Sequence, residues 1–298
     1  MKTWLWQTLM RMADRCEKSS DYFKGAANRL VPERALTLVD CEAQGWQNVR
    51  PCFVLSTGRS GTMFLNQLLM LSPRIMAHHH PRPELIRASK RAFEEIAVKP
   101  EIFQETFKSA REELIYKAAF RNQVYVETNN RITFFAPIIR DCFANAVFIH
   151  LVRHPGEFVR SGIRRRWYSG KSSHDPGRIV PLSGELQKKW QDLPLITKIG
   201  WLWNETNQFI QEFKNQVPEP DFLFIQAEEL FQDYHLAEKI FSFLHVPTPH
   251  SKKIKEIMQK PVNVQKKEKY SHYNEWPDQH KVDLRNICPL ARVYGYTL

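Results

Sequence analysis

Residues 51–71 read Pro-Cys-Phe-Val-Leu-Ser-Thr-Gly-Arg-Ser-Gly-Thr-Met-Phe-Leu-Asn-Gln-Leu-Leu-Met-Leu, and this stretch decides the fold. Residues 51–56 are a short, apolar, β-prone run, and 63–71 place apolar side chains at helical spacing. Between them, residues 56–62 combine glycines with hydroxyl side chains. Such a turn between strand and helix gathers backbone N–H groups at a helix N-terminus, where the helix dipole also favours negative charge. A phosphate or sulfate belongs in it. A nucleotide-hydrolysing loop would follow GxxxxGK[ST], with lysine directly after the last glycine. Thr62 holds that position here, and the basic residue is Arg59, two places before Gly61. From there it can clamp a terminal anionic group or neutralise charge on a leaving phosphate.

Further apolar runs at 74–77, 124–127, 146–152 and 221–226 are separated by helical stretches at 101–120, 133–143, 155–168 and 185–216. Strands alternating with helices predict an α/β fold, a three-layer arrangement in which a mostly parallel sheet is flanked by helices. A chain of 298 residues admits one large domain or two smaller ones. Without repeats, low-complexity tracts or a linker, the reading is one domain over 51–298 preceded by an N-terminal helical extension over 1–50. The stretch 170–177 reads as a flexible loop and the lysine-rich 251–269 as a mobile basic segment.

Lys+Arg 43 against Asp+Glu 32 leaves a formal charge of +11, which suits a polyanionic partner without naming it. Hydrophobic residues at 43% and charged residues at 25% exclude a disordered chain, a collagen-like repeat and a membrane bundle. The five cysteines (Cys16, Cys41, Cys52, Cys142, Cys288) are odd in number and form no CxxC pair, so neither a disulfide framework nor a zinc knuckle is expected. A reducing, cytoplasmic location fits, with Cys52 and Cys142 as buried free thiols. The apolar run at the N-terminus is too short and too interrupted for a signal peptide or membrane span. Trp4, Leu5, Leu9 and Met12 can share one face of a helix, which either packs on protein or lies on a membrane surface.

A second constellation follows the strand at 146–152. Arg153 leaves the strand end, Pro155 suits the first helical position and Glu157 the first turn. Ser161 lies within that helix, with Arg164 and Arg165 at i+3 and i+4, so hydroxyl and guanidinium groups share a face. Two anion sites at the C-terminal edge of parallel strands suggest a nucleotide with phosphates on both ends of its ribose.

At this point the sequence resembles the family of sulfotransferases that use 3′-phosphoadenosine 5′-phosphosulfate (PAPS), in its bacterial and Golgi-type branch. The family's 5′-phosphosulfate loop looks like residues 53–62, and its 3′-phosphate motif, an Arg followed by a Ser on the next helix, looks like Arg153 with Ser161. Phe224-Ile-Gln-Ala-Glu-Glu-Leu230 resembles its late strand with an acidic-Leu ending, and Trp276 through Gly295-Tyr296 its C-terminal helix and Gly-Tyr ending. The resemblance implies a P-loop NTPase-like sulfotransferase fold. It implies that Arg59, Ser60, Gly61 and Thr62 hold the 5′-phosphosulfate and that Arg153 and Ser161 hold the 3′-phosphate. PAPS would be the donor, its desulfated form PAP the product, and no metal would be needed. The acceptor would offer a hydroxyl or amine on a carbohydrate, lipid or small molecule.

Relatives carry the base as the Glu of a His-Glu-Pro-like segment after the second strand; the matching residues 77–81 put His80 at that position. Imidazole can do the same work, and Glu84 is the alternative if the register shifts. In an extended segment His78 and His80 would face one way and His79 the other, which disfavours a shared metal. Glu127 or Asn129, at the end of another strand, either contacts a substrate or, with Asn130, serves the following helix as a cap. Arg164, Arg165 and Arg166 either attract an acidic acceptor or form a solvated face. Lys266, Lys267 and Lys269 either close over the nucleotide or lie on the surface. Trp190, Trp201 and Trp203 read as helix-packing core or as an acceptor cleft. The rival readings are a P-loop nucleotide kinase or NTPase, against which Thr62 counts, and a basic nucleic-acid-binding protein, which lacks any recognition motif here; no nucleic acid partner is expected. Oligomeric state is not legible.

Overall fold

In the computed structural model, which describes residues 49–259 and 271–298 besides Met12 and Ser19, the run after Pro51 forms β1 (Cys52–Leu55), buried throughout. Helix α1 (Thr62–Leu69) follows the glycine loop and leads to β2 (Ile75–His78). Helices α2 (Ile86–Glu95) and α3 (Pro100–Phe120) precede β3 (Val124–Glu127), and α4 (Ala136–Cys142) precedes β4 (Val147–Val152). After α5 (Pro155–Arg164), α6 (Gly184–Lys189) and α7 (Leu195–Lys214) comes β5 (Phe222–Gln226). The remaining helices are α8 (Ala227–Leu230), α9 (Tyr234–Phe243), α10 (Ser251–Met258), α11 (Asp278–Ile287) and α12 (Leu290–Val293). Among the described residues no helix is long and apolar enough to cross a membrane.

The strands pair in parallel in the order β2-β3-β1-β4-β5. From β1 the chain passes to the edge strand β2, returns to lay β3 between β2 and β1, then crosses to lay β4 on the other side of β1. The reversal makes the C-terminal end of β1 the crevice where open α/β sheets bind ligands. β1 pairs with β3 only at Cys52↔Val126 and Phe53↔Glu127. Past that point the Thr133 hydroxyl accepts from the Ser56 N–H at 3.1 Å and donates to the Ser56 carbonyl at 3.1 Å, finishing the strand where the sheet has split.

Side chains alternate across the sheet, as period-two geometry demands. Phe53, Leu55, Tyr125 and Phe148 join one core with Phe103, Phe107, Phe158, Trp203 and Phe213 from helices on that face. Cys52, Val54, Val126, Val147 and Ile149 join the other with Leu65, Leu68, Ile240 and Phe241. Each such aromatic or aliphatic side chain contributes about 1.5–3 kcal/mol by leaving water. The expected three layers are present.

Several boundaries differ from the expected ones for identifiable reasons. The helix read over 155–168 stops at Arg164, where the Trp167 N–H returns to the Gly162 carbonyl at 3.2 Å and the Arg166 N–H to that of Ile163 at 2.9 Å, with Arg166 left-handed at φ 55. The stretch 185–216 splits because Pro194 holds an extended backbone before α7. Asn129, rather than Asn130, caps the short 3-10 helix Asn130–Phe135 by accepting from the Arg131 N–H at 3.1 Å. The loop read as flexible is pinned by Asp175, which accepts from the N–H groups of Tyr168 (3.2 Å) and Gly170 (3.1 Å). In the basic segment, 251–258 is helix α10 with Ile254 buried. Lys266, Lys267, Lys269 and the N-terminal helix lie outside the described residues. Trp190, Trp201 and Trp203 are core. Cys52 and Cys288 are buried and Cys142 half-buried, all three with free thiols.

A buried ion pair fixes the segment after β2. Arg111 of α3 donates Nε to Glu127 Oε2 at 2.7 Å and a terminal nitrogen to Oε1 at 3.0 Å. Tyr125 (2.8 Å) and Asn129 (3.1 Å) complete the carboxylate. Arg111 also donates to the carbonyls of Pro83 at 3.0 Å and Pro81 at 3.5 Å, so it grips the segment that carries His80 and Glu84. Glu127 and Asn129, fully buried, therefore act in this network. Removing one partner strands the other charge. Arg111→Ala should cost about 3–5 kcal/mol in urea denaturation; a loss below about 1 kcal/mol would contradict the account.

His150, on β4, is fully buried with Nε2 2.8 Å from Asn207 Oδ1, and burial pushes its pKa down to about 4. The unfolded chain then takes up this proton first on acidification, so the stability His150 contributes is present above about pH 6.5 and is lost as pH falls toward 4. His150→Gln should flatten the fall in unfolding free energy between those values; an unchanged slope would refute it.

Candidate functional site

The glycine loop turns because three of its residues adopt left-handed backbone: Gly58 (φ 77), Arg59 (φ 57) and Gly61 (φ 91). Glycine is required at two of them by space as well. A Cβ at Gly58 would lie 2.9 Å from the Asn130 side chain, and one at Gly61 2.9 Å from the Phe231 ring. The first turn of α1 has no acidic residue and no side-chain cap, so its N–H groups are directed at the crevice with the positive end of the helix dipole. Arg59, a non-glycine residue in a strained conformation, is held from both sides. Its carbonyl accepts from Arg153 at 3.0 Å and its Nε donates to Ser161 Oγ at 3.3 Å.

Ser161 is where the two sequence motifs meet. Its hydroxyl also accepts from Arg165, one helical turn later, at 2.8 Å. Arg153 is placed by the Trp203 indole, which donates to its carbonyl at 2.9 Å, and by Glu157 at 3.6 Å. Next to it, Glu228 accepts from the His154 N–H at 3.0 Å and from the Tyr296 hydroxyl at 2.8 Å, joining the late strand's acidic ending to the C-terminal Gly-Tyr. Burial, followed by Arg165, Arg153 and Arg164, pulls the Arg59 pKa down to about 10. Burial and neighbouring arginines act on Arg165 in the same direction. These guanidinium groups repel one another in a partly desolvated wall, which an anion would relieve.

The wall bounds a cavity of about 590 Å³ lined by Arg59, Arg131, Arg153, Arg165 and Arg178, with Glu84 the single carboxylate among its lining residues. Gly61, Thr62, His80 and Glu84 also line it. Ser60 does not: it is fully buried, which leaves its backbone N–H as the group it can offer the loop. Ser161 stands behind the lining, bonded to Arg59 and Arg165.

The three histidines depart from the expected alternation because β2 ends at His78 and His80 turns left-handed at φ 53. His78 packs on the Tyr125 ring with centroids 5.5 Å apart, while His79 and His80 both line the cavity, ring to ring at 4.3 Å. His79 Nδ1 lies 2.9 Å from Thr128 Oγ1 and 3.2 Å from the Thr128 carbonyl. Because that hydroxyl donates onward to the His78 carbonyl, Nδ1 carries the proton and Nε2 keeps its lone pair. Burial, then His79, Arg131 and His174, push the His80 pKa down to about 4, so its imidazole is neutral at physiological pH. His80 Nδ1 lies 3.9 Å from Glu84. Among the described residues no three His, Cys, Asp or Glu side chains gather as metal ligands would.

Sequence reasoning missed His79, Arg131, His174 and Arg178 as lining residues. Only tertiary packing brings the 3-10 turn after β3 and the loop after α5 to this crevice, and no local pattern announces it.

These features have counterparts among known proteins. A model of the sulfotransferase family matches residues 51–250. The fold is similar to that of a sulfotransferase domain from the curacin biosynthetic pathway, at 16% identity over 85% of this chain and 99% of that one, with a TM-score of 0.51. It is similar also to a sulfotransferase from Alicyclobacillus acidocaldarius, at 15% identity over 84% of this chain and 98% of that one, with a TM-score of 0.50. No curated protein matches the chain. The parallel sheet, the loop at its switch point and the family match agree: this chain belongs to the sulfotransferase family and is a sulfotransferase enzyme.

Proposed function

We propose that the enzyme transfers a sulfuryl group from PAPS to a hydroxyl or amine of a carbohydrate, lipid or small molecule. The observation that carries this reading is the convergence of both anion motifs on Ser161, through Arg59 at 3.3 Å and Arg165 at 2.8 Å. Arg59, Gly61 and Thr62, with the Ser60 backbone, would hold the 5′-phosphosulfate. Arg153 and Ser161 would hold the 3′-phosphate, Arg153 by contact, with Arg165 beside it, and Ser161, behind the lining, by fixing Arg165. A nucleotide with phosphate at one end only would leave part of this guanidinium cluster uncompensated. Residues 51–298 would act as one unit, since α11 packs on Gly200 of α7 and Tyr296 closes on Glu228. The free thiols of Cys52, Cys142 and Cys288 support a cytoplasmic location.

In this reaction the acceptor oxygen or nitrogen attacks sulfur in line and the bond from sulfur to the bridging phosphate oxygen breaks. The electron pair stays on the phosphate of PAP, and the acceptor's proton passes to a base. Arg59 and the N–H groups at α1 would stabilise the departing phosphate, charge that grows in the transition state. His80 is the proposed base, in the form able to accept a proton, with Glu84 as the alternative. His79 is a further candidate, because its fixed tautomer leaves Nε2 unprotonated and burial, with Arg59 acting the same way, lowers its pKa.

Calorimetry with PAP and ADP should favour PAP, and Arg153→Ala should cost about 10- to 100-fold in PAP affinity, bringing the two nucleotides level. Equal wild-type affinity for both would reject the assignment of the 3′-phosphate site. With labelled PAPS, His80→Ala should lower kcat by about 10²- to 10⁴-fold with little change in PAP affinity; full turnover would pass the role to Glu84 or His79. Because His80 in the free enzyme titrates near 4, kcat/KM should stay level from pH 7 to 5. A fall centred near pH 6.5, where an ordinary imidazole protonates, would contradict it.

A further inference from the structure

Arg131, His174 and Arg178 line the cavity, yet none belongs to either phosphate motif. Both guanidinium groups are set in place within the protein. Arg131 donates to His174 Nδ1 at 2.9 Å, and Arg178 lies over the Trp167 ring at 3.9 Å with its Nε on Asp175 at 2.9 Å. Asp175 pairs with Arg178 through Nε, yet each guanidinium keeps nitrogens without a hydrogen bond among the described residues. The Arg131 Nε is buried with no hydrogen-bond partner, its nearest ion-pair contact being Glu84 at 3.9 Å. Of the Arg178 nitrogens, Nε alone is hydrogen-bonded among the described residues. Burial pulls the Arg131 pKa down, with Glu84 acting against it and Arg178 with it. The same three side chains also line a second cavity of about 50 Å³, together with Ser89 and Thr206, so space as well as packed core adjoins them.

Asp175 meets Arg178 at Nε alone and Glu84 stands 3.9 Å from Arg131, so these two partly desolvated guanidinium groups keep nitrogens that an anionic ligand can meet. The donor's charges are already matched by Arg59, Arg153 and Arg165 around Ser161. Glu84 instead lies 3.9 Å from both His80 Nδ1 and Arg131 Nε, so Arg131, with His174 accepting from it, stands beside the proposed base, on the acceptor's side of the reaction.

Building on the donor reading above, we propose that the acceptor is itself anionic. It carries a carboxylate or sulfate near its reacting hydroxyl or amine, bound by Arg131 and Arg178. The chemistry fits uronic-acid-type sugars, acidic phenols and already sulfated compounds, and disfavours neutral ones.

The test uses the full chain saturated with PAP and two matched pairs of probes: p-nitrophenyl β-glucuronide against p-nitrophenyl β-glucoside, and 4-hydroxyphenylacetate against its amide. Calorimetry should show the acid of at least one pair binding about tenfold or more tightly than its neutral partner. Arg178→Gln and Arg131→Gln should each remove that preference while PAP affinity stays within about twofold. If Arg178→Gln loses PAP binding through misfolding, Arg131→Gln carries the comparison. Saturable PAP binding with no acid preference in either pair, or a preference that survives both variants, overturns the anionic acceptor and leaves the donor reading standing. Failure of PAP to bind brings down the donor reading and this inference with it.

Discussion

The guanidinium group of Arg59 sits half-buried among other guanidinium groups, bonded, among the described residues, to a serine hydroxyl and not to a carboxylate. A folded chain accepts such a like-charge cluster when the rest of the structure holds it in place or when a ligand supplies the missing charge. Here the structure does the first and invites the second. The left-handed turn at 58–61 aims N–H groups into the crevice, the Arg153 side chain anchors the Arg59 carbonyl, and the splitting of β1 from β3 opens the space in front.

What holds the cluster is a set of buried polar contacts placed one layer back. Trp203 fixes the Arg153 carbonyl, Glu228 ties the start of α5 to the C-terminal Tyr296, and Arg111 with Glu127 grips the carbonyls at Pro81 and Pro83. Each acts on backbone or on a hydroxyl, leaving cavity-facing nitrogens for ligand. Rigid support of this kind is what lets a site stabilise developing charge without reorganising. His80 completes the arrangement: burial first, and then the positive surroundings that suit an anionic donor, keep its imidazole unprotonated. When the donor's negative charge enters, the same electrostatics raise its basicity where a proton must be taken up.

The fold was readable because its signals are local. The glycine loop needs left-handed backbone at fixed positions, and the alternation of β-prone runs with helical periodicity leaves few topologies. Arg153 and Ser161 were likewise legible, since strand, proline and serine lie within one short stretch. Glu127 misled because its position at a strand end suggests exposure, whereas Arg111 arrives from α3, sixteen positions earlier, to bury it. His79 was set facing away because alternation presumes an extended strand, and β2 stops one residue before it. Arg131 follows β3 at the edge where a ligand was expected, but its meeting with His174 and Arg178 depends on the loop after α5 folding back onto α2, where Gly177 packs on Ile86, and no local pattern shows that.

The central claim, that this crevice awaits a nucleotide phosphorylated at both ends of its ribose, is tested most directly by thermal melting of the full chain. PAP at about 100 times its dissociation constant should raise Tm by about 4 °C, and AMP at the same concentration by far less. Equal shifts from PAP and AMP, or none from either, would contradict it.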